Sequence, residues 1–261
     1  MLTDKQFIRY QRQVSVPEVA ESGQKALLNS HVLMIGCGGL GSAAGLYLAS
    51  AGVGKLVIAD GDTVDESNLQ RQVIYRQQDV GTEKVAAMSE QLQQLNSDCQ
   101  VRVISRYLSD QQLQLEVMLA DIVLDCSDNL ATRHAVNAAC FTHHTPLISG
   151  SAIGWKGQLA LFDFANRHRD QQQAPCYRCL FPFDELQQVT KCSDSGIVGP
   201  IVGTIGNLQA LQAIKYLTHH ATYQANVLHL FDGETLQWQH FSMQQDSQCP
   251  VCASAKEKIC E

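Results

Sequence analysis

The stretch that most constrains this chain is His31-Val-Leu-Met-Ile-Gly-Cys-Gly-Gly-Leu-Gly41. Val32 to Ile35 is an uninterrupted apolar run, short enough to be a buried strand. Gly36, Gly38, Gly39 and Gly41 then form a tight turn, and Leu40 to Ala51 reads as a helix. Glycines at this spacing let backbone N–H groups approach a phosphate, and the partial positive charge of the helix N-terminus adds to the attraction. A second apolar strand, Leu56 to Ala59, ends at Asp60, nineteen residues past Gly41. An acidic side chain there can accept hydrogen bonds from ribose hydroxyls. The opening unit is therefore built for a nucleotide. It does not say which one, because flavin and nicotinamide enzymes share the turn.

Composition limits the partners. A net charge of −7 argues against general nucleic-acid binding, which needs a basic face. With 17% charged and 45% hydrophobic residues over 261 positions, the expectation is one large soluble domain with attachments. Met1-Leu-Thr-Asp-Lys-Gln-Phe7 lacks the apolar core of a signal peptide. The longest uncharged run, Gly196 to Ile214, holds Pro200, Asn207 and two glutamines, so it reads as a buried loop and helix rather than a membrane span. A cytoplasmic enzyme that touches neither membrane nor nucleic acid is expected.

Ten cysteines without a secretion signal make a poor disulfide framework. Cys176-x-x-Cys179 and Cys249-x-x-Cys252 instead supply four thiolates, the complement of a closed tetrahedral Zn²⁺ site. The two pairs are far apart in sequence and meet only if the fold brings them together. Unrelated reduced thiols or a redox pair are the plainer alternatives. Cys37, Cys99, Cys126 and Cys140 fall in or beside predicted core elements and read as packing.

In chain order, Thr3 to Val14 reads as a helix with Phe7, Tyr10 and Val14 on one face and Arg9 and Arg12 pointing outward. Val16-Pro17 breaks it, and Glu18 to Leu28 resumes as a second helix. Beyond Asp60, the polar stretch Gly61 to Gln72 carries Ser67, Asn68, Gln70 and Arg71 past the carboxyl end of the second strand, where open α/β sheets bind ligands. Lys84 follows near the start of a helix from Glu83 to Leu95. An arginine and a lysine here suit a triphosphate, whose charge they can neutralise when the α-phosphate is attacked; each alone is equally a surface charge. Val101 to Ile104, Asp121 to Asp125 and Thr145 to Gly150 are further strands, separated by helices Gln111 to Leu119 and Leu130 to Phe141. The fourth strand delivers Cys126-Ser-Asp-Asn129. Asp128 either holds Mg²⁺ or caps the following helix. Gly203 to Leu217 reads as an apolar helix, and Val227 to Phe231 and Thr235 to Met243 as strands joined at Asp232-Gly233. The predicted fold is α/β, a Rossmann-like, mostly parallel sheet flanked by helices and extended by antiparallel strands, with a structural zinc site.

Taken in order, Gly36-Cys-Gly-Gly-Leu-Gly41, Asp60-Gly-Asp62, Ser67-Asn-Leu-Gln-Arg-Gln72, Asp125-Cys-Ser-Asp-Asn129, Cys176-Tyr-Arg-Cys179, Gly199-Pro200 and Cys249-Pro-Val-Cys252 resemble the ThiF/MoeB/HesA family, bacterial relatives of the E1-like ubiquitin-activating enzymes. The likeness runs from Phe7 to Cys252. It implies ATP- and Mg²⁺-dependent adenylation of the C-terminal carboxylate of a ubiquitin-like sulfur carrier protein ending in Gly-Gly. By the same resemblance Gly39, Asp60, Ser67, Asn68, Leu69, Gln70, Arg71, Lys84, Asp128 and Asn129 line the nucleotide, beside Gly36, Gly38, Gly41 and Asp62. Arg9-Tyr-Gln-Arg12-Gln matches the family's N-terminal motif, which implies a homodimer in which Arg12 reaches the neighbouring subunit's ATP. Cys192, on a polar stretch beside Lys191, whose charge favours a thiolate, corresponds to the cysteine tied to an acyl-disulfide with the carrier. The implied layout is a single domain over 1–261: N-terminal helices (1–30), a nucleotide-binding core (31–150) and a carrier-binding, zinc-containing and dimer region (151–261). Cys179-Leu-Phe-Pro182, Leu230-Phe-Asp-Gly233 and Trp238 look closer to the thiamine-thiazole branch than to the molybdopterin branch. With no rhodanese-like extension seen after Cys252, sulfur is expected from a separate donor such as a cysteine desulfurase. A Rossmann oxidoreductase and a non-catalytic carrier-binding scaffold are the competing classes.

Overall fold

Short runs rich in Val, Ile and Leu alternate with helical segments, and in the computed structural model, which describes residues 1–166, 174–184 and 196–253, they build one eight-stranded sheet. Helices α1 (Asp4–Val14) and α2 (Ala20–Asn29) precede β1 (His31–Ile35), α3 (Gly39–Ala51), β2 (Lys55–Ala59) and α4 (Lys84–Leu95). Then come β3 (Gln100–Ile104), α5 (Asp110–Leu119), β4 (Ile122–Asp125), α6 (Leu130–His143), β5 (Leu147–Ile153) and β6 (Lys156–Phe162). A short helix α7 (Tyr177–Leu180), a long helix α8 (Gly199–Leu217), β7 (Val227–Asp232) and β8 (Gln237–Ser242) complete the described chain.

The strand order is β3-β2-β1-β4-β5-β6-β7-β8. The first five are parallel and the last three antiparallel. The order reverses between β1 and β4, where Ile35 lies opposite Asp125. A crevice at the carboxyl ends of strands at such a switch point is where ligands of open α/β sheets bind. One face of the sheet packs on α3, α4 and α8 through residues such as Met34, Leu48, Met88 and Ile205. The other packs on α5, α6 and the cysteine pairs through Val117, Val136, Phe162 and Cys176.

Three differences from the sequence reading have local causes. Strand β6 was not expected; Gly154 and Gly157 bracket Trp155-Lys156 and disguise its start as a long turn, yet Gly154 (φ +56°) closes a tight hairpin there. Helix α8 begins at Gly199 rather than Gly203, with Pro200 in its first turn, a position that tolerates the missing N–H. On α1 only Tyr10 is buried, whereas Phe7 is 52% exposed. Tyr10 Oη accepts a hydrogen bond from Asn96 Nδ2 (2.8 Å), Arg9 Nη1 donates to Leu95 O (3.1 Å), and Gln13 Nε2 donates to Ala51 O (3.1 Å). These contacts moor α1 at the C-terminal ends of α3 and α4. Among the described residues no helix is long and apolar enough to cross a membrane.

The edge strand β8 is exposed at every residue. Across it, His240 Nδ1 meets His229 Nδ1 at 2.7 Å. Burial of His229, with His240 and Lys215 adding to the effect, holds its imidazole below the ordinary histidine value. The unfolded chain therefore binds a proton more readily, and the stability this contributes is present above about pH 6.5 and lost as pH falls below it. The expected result is a urea midpoint that drops between pH 7.5 and 5.5, with a shallower drop in His229→Leu; an unchanged slope in that variant would assign the loss to other groups.

Candidate nucleotide site and cysteine cluster

The glycine turn is shaped by contact with the loop after β4. Gly36 takes φ +96°, and a Cβ there would lie 2.6 Å from Cys126 O. A Cβ on Gly41 would lie 2.0 Å from Gly36 O. Only glycine fits at either position. Tyr75 Oη, donating to Cys37 O at 2.7 Å, pins the turn from outside. Helix α3 then starts with no side-chain cap, because its N-cap is Gly38. Its first N–H groups have no side-chain cap among the described residues, an arrangement suited to an anion.

Asp60 ties β2 to this turn. Its Oδ2 accepts from Cys37 N (2.7 Å) and its Oδ1 from Asp62 N (2.8 Å). Burial raises its carboxyl, offset in part by those two amides. Next to it, Lys84 opens α4 at 6% exposure and pairs with Asp62 at 2.7 Å. Tyr107 donates to the other oxygen of Asp62. Burial alone would raise Asp62, but the bonds from Lys84 and Tyr107 outweigh it and hold the carboxyl below its usual range. The same bond pushes the Tyr107 hydroxyl up to about 12, and Asp60, Asp62 and Asp128 all act on it. Two carboxylates and one buried ammonium thus share a single corner, with Asp128 near enough to act on Tyr107.

The 67–72 segment wraps the rim. Ser67 Oγ donates to Asp65 (2.6 Å), Asn68 Oδ1 accepts from Asp65 N (3.4 Å), and Arg71 Nη1 donates to Ser67 O (3.1 Å). Leu69 packs on the core. Gln70 and Arg71 wedge between the starts of α3 and α8: a Cβ on Gly199 would lie 2.7 Å from Gln70 O, and one on Gly39 would lie 3.6 Å from Arg71 O. Gln72 is buried beside Gly38, and its Oε1 has no partner among the described residues.

On the far side of the crevice, Asp128 is exposed and is not the helix cap. That role belongs to Asn129, whose Oδ1 accepts from Thr132 N at 2.9 Å. Asp125, 1% exposed, accepts from Ser127 Oγ (2.6 Å) and lies 3.6 Å from Arg133. Arg133, itself buried, donates to Ser127 O, to Gly150 O (2.8 Å) and to Ser149 Oγ (3.0 Å). This pair fixes the backbone from which Asp128 projects.

The two Cys-x-x-Cys pairs do meet. The four sulfurs of Cys176, Cys179, Cys249 and Cys252 lie within 4.8 Å of one another, with 3.9 Å for 176–179, 3.6 Å for 176–249 and 3.3 Å for 179–252. A tetrahedral Zn–S₄ site with bonds of about 2.3 Å spaces its sulfurs by about 3.8 Å. Asp246 N points at Cys179 Sγ (3.4 Å). The fully buried Asn137 Nδ2 finds no conventional acceptor among the described residues and lies beside Cys176. Donors aimed at sulfur suit metal-bound thiolates. The residues fit a structural zinc, which would tie the C-terminal segment to α7.

The fold therefore gathers Gly36, Gly38, Gly39, Gly41, Asp60, Asp62, Lys84, Arg71, Asp128 and Asn129 around one crevice. Arg12 is not among them: α1 is moored at the opposite end of α3, about 20 Å away for its 13 residues. Cys192 lies outside the described residues. Cys37, Cys99, Cys126 and Cys140 are buried, as the packing reading expects. Sequence reasoning missed Tyr107 and the positioning role of Arg133. Position 107 shows no periodic signal, and an arginine on a helix ordinarily reads as surface.

A sequence profile described as the ThiF family matches residues 10–251. Sulfur carrier protein ThiS adenylyltransferase of Escherichia coli (strain K12) is 45% identical over 254 residues, 97% of this chain and 98% of that protein. Molybdopterin-synthase adenylyltransferase of the same strain is 39% identical over 251 residues, 96% of this chain and 98% of that protein. Among solved structures, E. coli MccB with ATP matches with a TM-score of 0.80 at 22% identity, over 96% of this chain and 75% of that chain. That last likeness is one of fold.

Proposed function

This chain belongs to the ThiF family and is an adenylyltransferase of sulfur carrier proteins, and on that premise we propose that it adenylates a ThiS-like carrier for thiazole formation in thiamine synthesis. A C-terminal Gly-Gly carboxylate of the carrier attacks the α-phosphorus of ATP. The new O–P bond forms as the bond to the β-phosphate oxygen breaks, and pyrophosphate leaves with the electron pair. The carboxylate is ionised at neutral pH, so no general base is needed. Positioning and charge stabilisation carry the step.

In this reading Asp60 receives the ribose hydroxyls and the uncapped N-terminus of α3 receives phosphate. Arg71 and Lys84 offset charge that grows on the phosphates. Lys84, already out of bulk water in its pair with Asp62, meets them with little further desolvation. Asp128 would hold Mg²⁺, which screens the triphosphate when bound. Arg12 of a second copy completes the site, which makes a homodimer the working form. The acyl-adenylate then takes sulfur from a separate donor protein such as a cysteine desulfurase.

The observation that carries the reading is the cluster of Asp60, Asp62 and Lys84 next to a helix start with no side-chain cap, with Asp128 on the loop after β4 across from it. Identity of 45% to the ThiS enzyme against 39% to the molybdopterin one supports the branch. ATP–pyrophosphate exchange, run separately with a thiamine-type and a molybdopterin-type carrier, tests it. Exchange dependent on the thiamine-type carrier and its terminal Gly-Gly is expected. Exchange only with the other carrier would move the chain to the molybdopterin branch, and none with either would remove the substrate assignment.

Cys192 is proposed to take sulfane sulfur from the donor's persulfide and then, as Cys192–S–S⁻, to attack the carrier's acyl-adenylate, so that AMP leaves and the acyl-disulfide forms with no net change of oxidation state. Cys192→Ala should keep full pyrophosphate exchange and lose the carrier adduct seen by intact-mass spectrometry. An undiminished adduct would transfer the role to another thiol.

A further inference from the structure

Arg133 and Asn137 stand four residues apart on α6, on one face of the helix. Arg133 holds the Ser127 backbone from which the Asp128 loop continues. Asn137, fully buried, accepts from Tyr177 N at 2.8 Å through Oδ1 and turns its Nδ2 to the Cys176 neighbourhood. Tyr177 sits between Cys176 and Cys179 and closes the circuit: its ring centroid is 5.9 Å from the Arg133 guanidinium carbon. The ring also stacks on Phe181 at 4.7 Å and meets His134 edge-on at 5.7 Å. A narrow recess lined by Arg133, Tyr177, Ser149, Gln158 and Phe181 lies beside them, with space for about one water molecule.

We infer that the cysteine cluster and the Asp128 loop are energetically coupled through this face of α6, with Tyr177 the positioning residue between them. The inference rests on the nucleotide and zinc readings above. With the four sulfurs joined, α7 is fixed, the Tyr177 ring is held against Arg133, and Arg133 holds Ser127 in the place that serves Asp128. With the cluster open, α7 loosens, the ring leaves, and the loop loses one of its restraints. The metal on one side of the molecule thereby sets affinity for nucleotide on the other. Coupling between two binding equilibria must be reciprocal.

The test uses the full-length, zinc-loaded protein and a non-hydrolysable ATP analogue with Mg²⁺. Zinc affinity is measured by competition with a chromogenic chelator, with and without the analogue; analogue affinity is measured by calorimetry before and after zinc removal. Both are expected to change by the same factor, about tenfold. Tyr177→Leu is expected to keep one zinc per chain, bind the analogue as weakly as the zinc-free wild type, and show no response of zinc affinity to the analogue. Tyr177→Phe, which keeps the ring, should restore the coupling. A wild-type factor within about twofold of one, or coupling that persists in Tyr177→Leu, would overturn the proposal while leaving the metal reading intact. Purified protein without stoichiometric zinc would instead overturn the metal reading, and the proposal with it. If Tyr177→Leu does not fold by circular dichroism, the two wild-type factors and Tyr177→Phe still decide.

Discussion

Asp128→Ala is expected to lower ATP–pyrophosphate exchange by about a thousandfold while leaving thermal stability almost untouched. The sequence alone allows Asp128 to be either a ligand for Mg²⁺ or a helix cap, and the two roles predict opposite results. A cap lost to alanine costs about 1 kcal/mol of stability, and catalysis suffers only indirectly. Here the cap is Asn129, bonded to Thr132 N, and Asp128 is an exposed neighbour. The paired experiment is Asn129→Ala, which should depress the melting temperature by several degrees with a smaller loss of exchange. A stability loss in Asp128→Ala equal to that of Asn129→Ala, with exchange retained, would return Asp128 to a structural role.

Arg12→Ala should be almost as severe, about a thousandfold, in keeping with an arginine that stabilises charge in phosphoryl chemistry. Nothing about Arg12 in its own subunit suggests such a loss. It lies exposed in the last turn of α1, and that helix is moored through Tyr10 and Gln13 far from the glycine turn. If the residue acts, it acts on a second copy. Mixing Arg12→Ala with Asp128→Ala, each inactive, should then recover about a quarter of wild-type exchange, since half of randomly mixed dimers carry one intact site. Analytical ultracentrifugation of Arg12→Ala should still report a dimer. No recovery in the mixture, with subunit exchange verified, would rule out a finger supplied in trans.

How much of this was legible in the sequence depends on what each residue had to do locally. The parallel half of the sheet was readable because apolar strands and glycine or aspartate punctuation coincide, as at Ile35-Gly36 and Ala59-Asp60. Strand β6 was not, because Gly157 sits inside it to admit Ile205, and a glycine in that place resembles a loop. Helical periodicity puts Phe7, Tyr10 and Val14 on one face of α1 but does not say how deep each lies, and only Tyr10 reaches the interior. The cysteine pairs announced themselves by spacing, and the fold joined them across 73 residues. Lys84 was equally readable as surface or site, and its burial against Asp62 removes the surface reading. Arg133 had no such signature. A buried guanidinium held by two carbonyls, a hydroxyl and Asp125 is visible only once α6 is laid against β4 and β5.

The cysteine cluster also bears on a hazard at the other edge of the sheet. Strand β8 is the last strand of the sheet, with no partner on its outer side among the described residues, the sort of edge along which molecules recruit one another into aggregates or trade strands. Met243, directly after β8, is bonded back to Asn226, and the chain reaches Cys249 within a few residues. Joined to Cys176, that cysteine turns everything from α7 through β8 into a closed ring. A strand inside a ring cannot be lent to a neighbour without opening the knot. A metal held there would therefore matter most for shelf life: protein lacking it should be the form that exchanges its last hairpin between copies and falls out of solution.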